Sequence, residues 1–351
     1  MPYELPEQRR AARSAALRRW LSFAPIALLV ATLTYLAYVG FVGSAQVVDP
    51  PLPSRDCRTP ESAFGGAYEA INYDQATDGV LAAYPDAADC PSQGAQAGSE
   101  LVTADGVSIA GWYVPAASGI GPEGPTVVLA HGHGANKSTL LRQAEVLHDA
   151  YNVVLFDFRN HGQSEAAPTT VGVRERADLG AVLDWLEATK GPPAVAVWGI
   201  SMGGAVAVNT AVSDDRIDAL ILESTHATLA NALDARLARA GYPLSVPGAW
   251  AILLGGLLRT GADMSAADPV QAIERYDGPV LIIAGGADGS MGPNDPHDLL
   301  AAAQDGGSQA ELQLCPAAGH GQSASACPDD YRDWVLGFLA RTLTEAAASD
   351  G

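Results

Sequence analysis

Apolar residues along the chain gather into short runs separated by longer stretches of helical period. The runs lie at 126–130 (TVVLA), 152–156 (NVVLF), 194–199 (AVAVWG), 219–222 (ALIL), 280–284 (VLIIA) and 312–314 (LQL). Runs of this length with little alternation read as strands covered on both faces. Residues 138–149, 174–189 and 296–304 carry helical patterns between them, and 329–348 ends the chain as an amphipathic helix. The alternation predicts an α/β fold with a mostly parallel central sheet and helices on both faces. A hairpin, 100–103 turning at Asp105-Gly106 into 107–114, would add antiparallel strands at one edge.

Two intervals break the rhythm. Residues 224–278 show no strand pattern and are expected to form a helical cap inserted between strands 6 and 7. They include AWAILLGGLL at 249–258, too short a run to cross a bilayer; it either packs on its own domain or lines an acyl pocket. At the other end, Arg9, Arg10, Arg13, Arg18 and Arg19 precede an almost uncharged run from Trp20 to Val42. That run is long enough to span a membrane, and the arginines place the N-terminus in the cytoplasm and the rest of the chain outside it. A cleaved signal peptide, with Gly43-Ser44-Ala45 at the cut, is the competing reading, but its apolar region is normally shorter. The expected organisation is a basic cytoplasmic tail over 1–19, a transmembrane anchor over 20–44, a linker and wrapping segment over 45–99 and a catalytic domain over 100–348.

Charge narrows the partners. The chain carries a net −20, and residues 1–45 hold five Arg against Glu4 and Glu7, which leaves −23 on the remainder. Such a surface repels nucleic acid and anionic lipid headgroups alike. Four cysteines, Cys57, Cys90, Cys315 and Cys327, outside the cytoplasm are compatible with two disulfides, and pairing neighbours gives Cys57–Cys90 and Cys315–Cys327. Three connectivities exist for four cysteines, and four free thiols remain the alternative. No C-x₂-C pair or comparable ligand spacing indicates a metal.

The run at 194–199 leads into Gly199-Ile200-Ser201-Met202-Gly203, which fits G-x-S-x-G, followed at once by an Ala/Val-rich helix. A strand, tight turn and helix is the context in which a serine is held exposed and strained as a nucleophile, with Gly199 and Gly203 giving the turn its room. A hydroxyl needs a base, and the base an orienting acid. The run at 280–284 leads to Asp288 and the run at 312–314 to His320, so acid and histidine follow the serine in chain order. Glu223, ending the run at 219–222, is an alternative acid, and Asp295 and Asp298 lie near Asp288. Backbone N–H groups of His133, after the run at 126–130, and Met202 are the expected oxyanion donors.

HGHGANKS at 131–138, FDFRNHGQS at 156–164, GISMGG at 199–204, LIIAGGAD at 281–288 and AGHG at 318–321 together resemble the α/β-hydrolase superfamily. They are most similar to its monoacylglycerol lipase-like and serine aminopeptidase-like branch, including single-pass membrane-anchored members. TADGVSIAGWYVP at 103–115 resembles the segment that opens the domain in that branch. The resemblance implies an α/β-hydrolase fold, a cofactor-free serine hydrolase with Ser201, His320 and Asp288 as its triad, and a small-molecule or lipid-like acyl substrate, a carboxylic ester first. Peptidase, thioesterase or perhydrolase chemistry would use the same triad, and the fold also hosts inactive cell-surface binding modules. Asp157, Arg159, His161, Gly162 and Ser164 are expected to form a structural loop in which Asp157 and Arg159 pair.

Overall fold

The computed structural model describes residues 6–51, 58–71 and 101–349. Cys57, Cys90 and Glu100, the first residue of the expected hairpin, lie outside the described residues.

Apolar runs become strands close to where the pattern puts them: β1 (Glu69–Ile71), β2 (Gly111–Val114), β3 (Thr126–Ala130), β4 (Asn152–Phe156), β5 (Val195–Ile200), β6 (Ala219–Glu223), β7 (Val280–Gly285) and β8 (Ala310–Cys315). They form one sheet in the order β1-β2-β4-β3-β5-β6-β7-β8. From β4 to β8 every neighbour is parallel, while β1–β2 and β2–β4 are antiparallel. The expected hairpin is reduced to a single bridge, Val102 to Ser108, ahead of β2. The partner of β2 at the edge is instead the three-residue β1, in a stretch without visible periodicity.

Helices of seven residues or more are α1 (Pro6–Val48), α2 (Leu141–Leu147), α3 (Glu175–Thr189), α4 (Met202–Ala211), α5 (Leu229–Arg239), α6 (Ser245–Thr260), α7 (Asp295–Asp305) and α8 (Pro328–Ser349). Side chains of successive strand residues point to opposite faces, which divides the interior into two cores. Val128, Val154, Val197, Leu220 and Ile282 meet α3, α4 and α7 on one face. Leu129, Leu155, Trp198, Ile221 and Ile283 meet α2 and α8 on the other. Between β6 and β7 the chain leaves the sheet to form the expected helical cap, with α5 and α6 as its main elements. The boundary expected near residue 44 falls inside α1, one continuous helix.

The loop after β4 departs from expectation. Asp157 and Arg159 do not pair with each other. Asp157 binds the Lys137 ammonium and accepts the backbone N–H of Lys137 at 2.7 Å and of Gln163 at 2.8 Å. Arg159 reaches Asp178 of α3 and Asp105, each at 2.7 Å, and its guanidinium is buried. Each charge found a partner far away in sequence because each is fully enclosed, and an enclosed charge without a counter-ion is strongly disfavoured. Replacing Arg159 by Met would strand the Asp178 carboxylate in the core. The expected loss is about 3–5 kcal/mol of unfolding free energy, read as a lower urea midpoint at unchanged slope.

Candidate active site

All the segments singled out by motif emerge at the carboxyl ends of parallel strands, the side of an open α/β sheet where ligands bind. β5 ends at Ile200, Ser201 turns the chain, and α4 begins at Met202. Ser201 has φ 55° and ψ −114°, a conformation rare for any residue with a side chain. The turn is tight enough that a Cβ on Gly199 would collide with the backbone of Gly203, and one on Gly203 with the carbonyl of Ala130 in β3. The Ser201 N–H donates to the Glu223 carbonyl at 2.9 Å, tying the turn to the end of β6. The Ser201 side chain therefore stands at the amino end of a ten-residue helix, where the helix dipole favours negative charge.

Asp288 and His320, from the loops after β7 and β8, meet: His320 Nδ1 lies 2.8 Å from Asp288 Oδ2. With Nδ1 donating to the carboxylate, Nε2 is left as an acceptor. Burial alone would raise the Asp288 pKa, but hydrogen bonds from His320, the Ser290 N–H and Ser224 hold it below the usual carboxylate range. The His320 loop lies against the Ser201 turn, since a Cβ on Gly321 would sit 3.4 Å from the Ile200 side chain. Ser224, itself at φ 48°, fixes that loop by accepting the Gly321 N–H at 2.9 Å. Cys315 and Cys327 are joined in a disulfide that brackets His320, with Cα atoms 6.1 Å apart. A bridge around so short a loop stabilises by about 2–4 kcal/mol.

Glu223 does not reach His320. Its Oε2 accepts the Tyr331 hydroxyl of α8 at 2.7 Å, and Gln143 of α2 donates to that hydroxyl at 3.2 Å. Full burial pushes the Glu223 pKa up to about 7, against the opposing pull of the Tyr331 hydroxyl. Asp295 is likewise occupied, capping the Gly292 N–H at 2.8 Å.

The segment after β3 closes over Ser201: a Cβ on Gly132 would lie 3.4 Å from the Ser201 Cβ. Among the described residues, neither the His133 nor the Met202 amide has a hydrogen-bond acceptor in the chain. Three histidines hold this segment. His131 Nε2 accepts the Phe158 N–H at 3.1 Å, and His161 Nε2 accepts the Gly134 N–H at 3.0 Å. His133 Nε2 faces the Val47 carbonyl of α1 at 2.8 Å. Burial lowers the pKa of His131 to about 3 and of His133 to about 4, so both are neutral at pH 7. No cluster of His, Cys, Asp and Glu suited to a metal occurs among the described residues.

A small cavity of about 30 Å³ adjoins Ser201 and Met202. Its wall includes His226, Arg236 and Val47, none of which carried a sequence signal: two belong to the cap region and one to the end of α1. Val47, His133, Leu233 and Arg236 also line a larger cavity of about 490 Å³ between α1 and the cap. The Arg236 side chain, which lines both cavities, makes no hydrogen bond or ion pair among the described residues and feels the charge of Asp288.

Known proteins place this geometry. A family model described as "alpha/beta hydrolase fold" matches residues 125–280. The chain is 32% identical over 269 residues to the uncharacterized protein Rv2307c of Mycobacterium tuberculosis, spanning 74% of this chain and 86% of that one. It is 27% identical over 235 residues to protein bem46 of Schizosaccharomyces pombe, spanning 64% and 70%. Among solved structures, an esterase of Pyrococcus furiosus superposes with a TM-score of 0.64 at 21% identity, covering 85% of this chain and 98% of that one. The chain belongs to the α/β-hydrolase superfamily.

The Glu223 pKa carries a stability consequence. A carboxyl raised from 4.5 to about 7 on folding binds a proton more tightly in the folded state. Stability is therefore highest below pH 4.5 as far as this group is concerned, and falls as pH rises towards 7 by roughly 3 kcal/mol. In Glu223→Gln the fall is absent, so the difference in unfolding free energy between variant and parent grows from pH 5 to 8, measured by urea titration at each pH.

Proposed function

We propose that the chain is a membrane-anchored serine hydrolase acting on a carboxylic ester, with Ser201 as nucleophile, His320 as general base and Asp288 as its orienting acid. The observation that carries this reading is the pairing of a positive-φ serine at a strand-to-helix turn with a His320 whose Nδ1 is already bound to Asp288. His320 Nε2 takes the Ser201 proton as Oγ bonds to the acyl carbon. The developing oxyanion is met by the His133 and Met202 N–H groups, aided by the amino end of α4. The alcohol leaves with the proton from His320, and water, deprotonated by the same nitrogen, releases the acid and restores Ser201. Asp288 remains ionised throughout, stabilising the imidazolium.

The remaining parts of the reading rest on sequence. The basic tail over 1–19 lies in the cytoplasm, α1 anchors the chain, and the catalytic domain is extracytoplasmic, in keeping with the disulfide beside His320. The stretch from Phe23 to Val48, whose most apolar part has a mean hydropathy of 2.0, is long and apolar enough to cross a membrane.

The full-length protein is expected to react with a fluorophosphonate probe, and Ser201→Ala is expected to lose all labelling. Asp288→Asn should leave labelling detectable but slow, with kcat for a p-nitrophenyl ester lower by roughly 10³–10⁴ because the imidazole tautomer is no longer fixed. Labelling that persists in Ser201→Ala would remove the assignment.

A further inference from the structure

α1 does not stand apart from the hydrolase domain. It runs beside cap helix α6 in the same direction, Tyr35 donating to the Pro243 carbonyl at 2.7 Å at one end and Arg259 donating to Ser44 Oγ and the Phe41 carbonyl, each at 2.9 Å, at the other. Between these points the helices touch through small residues. A Cβ on Gly40 would collide with the Ala251 carbonyl, and one on Gly255 would press on Gly40 and Ser44. Such close backbone approach is how helices associate inside lipid.

The level of this contact matters. Tyr35 to Ser44 falls within the apolar stretch Phe23–Val48, which at 1.5 Å per residue is about 39 Å long, more than the roughly 30 Å of a bilayer's hydrocarbon core. Any membrane that α1 crosses therefore also meets α6. The outward side of α6 is apolar at every fourth residue, with Trp250 55%, Leu254 56% and Leu258 79% exposed, and Phe41 of α1 is exposed beside it. Arg259, stacked 4.6 Å over the Phe41 ring, marks the polar end of the stripe. At the other end, between α5 and α6, the Tyr242 N–H donates to the Leu237 carbonyl and the Gly248 N–H to the Leu244 carbonyl.

The cavity of about 490 Å³ lies behind this stripe, walled by Tyr38, Val42 and Val47 of α1, Leu237 of α5, Ile252 of α6 and His133. It shares wall residues with the space at Ser201. We infer that this cavity is an acyl-chain site filled from the bilayer: cap helix α6 is seated in the outer leaflet beside α1, and the substrate is a membrane-resident long-chain ester that passes between them to Ser201. The occupant is lipid rather than protein because the stripe continues the surface of a helix whose own length and composition suit hydrocarbon. It follows that α1 is retained in the working protein, since cleavage near residue 44 would remove Tyr38, Val39 and Val42 from the wall of the cavity. The inference rests on the serine-hydrolase reading.

The test uses the full chain in phosphatidylcholine vesicles with two esters of one fluorescent alcohol, 4-methylumbelliferyl acetate, which is soluble, and 4-methylumbelliferyl oleate, dissolved in the bilayer. Ser201→Ala should lose both activities; acetate hydrolysis that survives it overturns the hydrolase reading itself. Leu254→Glu/Leu258→Glu, both on the outer face of α6, should keep acetate turnover within about twofold and lower oleate turnover by about tenfold or more, because charge on that face opposes seating in lipid. Equal oleate turnover in this variant and the parent overturns the inference while leaving the triad standing. Val42→Trp, which fills the cavity, should move the acyl length at which turnover falls, across acetate, butyrate, octanoate and oleate, towards shorter chains; an unmoved limit also overturns it.

Discussion

The rest of the structure depends on the crowding at the Ser201 turn. A serine at positive φ is unfavourable by about 1–3 kcal/mol, and here it persists because the strand, the turn and the helix have nowhere else to go. Gly199 lies against Gly203, and Gly203 against the Ala130 carbonyl of the next strand. β5 stands in the middle of the sheet, with β3 on one side and β6 on the other. The same contacts that strain Ser201 thus fix its position relative to the ends of both neighbours, one leading to the His133 segment and the other supplying Glu223. The register from β6 to β8 then carries Asp288 and His320 to the same edge.

Much of this was legible in the sequence, because strands covered on both faces leave apolar runs that nothing else explains. The runs at 126–130 and 152–156 coincide with β3 and β4, and those at 194–199, 219–222 and 280–284 fall within a residue or so of β5, β6 and β7. β6 runs on to Glu223 although a carboxylate should end a buried strand, because Tyr331, more than a hundred residues away, supplies a hydroxyl for it. β1 was not legible: three residues held by backbone pairing to β2 leave no periodicity to read. The Asp157–Arg159 pair failed for the same reason that Glu223 surprised, namely that partners recruited from other elements outweigh neighbours in sequence. His226, Arg236 and Val47 come to the site through packing of the cap and α1, and no local pattern records which side of a helix will face a cavity.

The histidines show how residue type alone misleads. Seven occur in the chain, and three of them crowd the segment after β3, where a base or metal ligand could be sought. Burial keeps His131 and His133 neutral and lowers the pKa of His161 as well. A neutral imidazole with one nitrogen donating and the other accepting is a hydrogen-bond adapter, and His131 and His161 are used in that way between backbone groups. His320 differs in kind: a quarter of its side chain is exposed and one nitrogen is held by the Asp288 carboxylate.

His133 joins the two halves of the argument. Its backbone N–H is a proposed oxyanion donor, and its ring is held by the Val47 carbonyl at the last turn of α1. The next carbonyl, Val48, accepts the Thr169 N–H at 2.9 Å, and Asn160 reaches it at 3.3 Å. The carbonyls at the C-terminal end of a helix lack intrahelical partners, and here they are met by the loops around Ser201. A shift of α1 along its axis would therefore move the segment that carries the proposed oxyanion donor, which must lie about 2.7–3.1 Å from the reacting oxygen. The apolar helix and the segment after β3 are parts of one hydrogen-bonded unit, so on the proposed reading the placement of α1 and the geometry at Ser201 are set together.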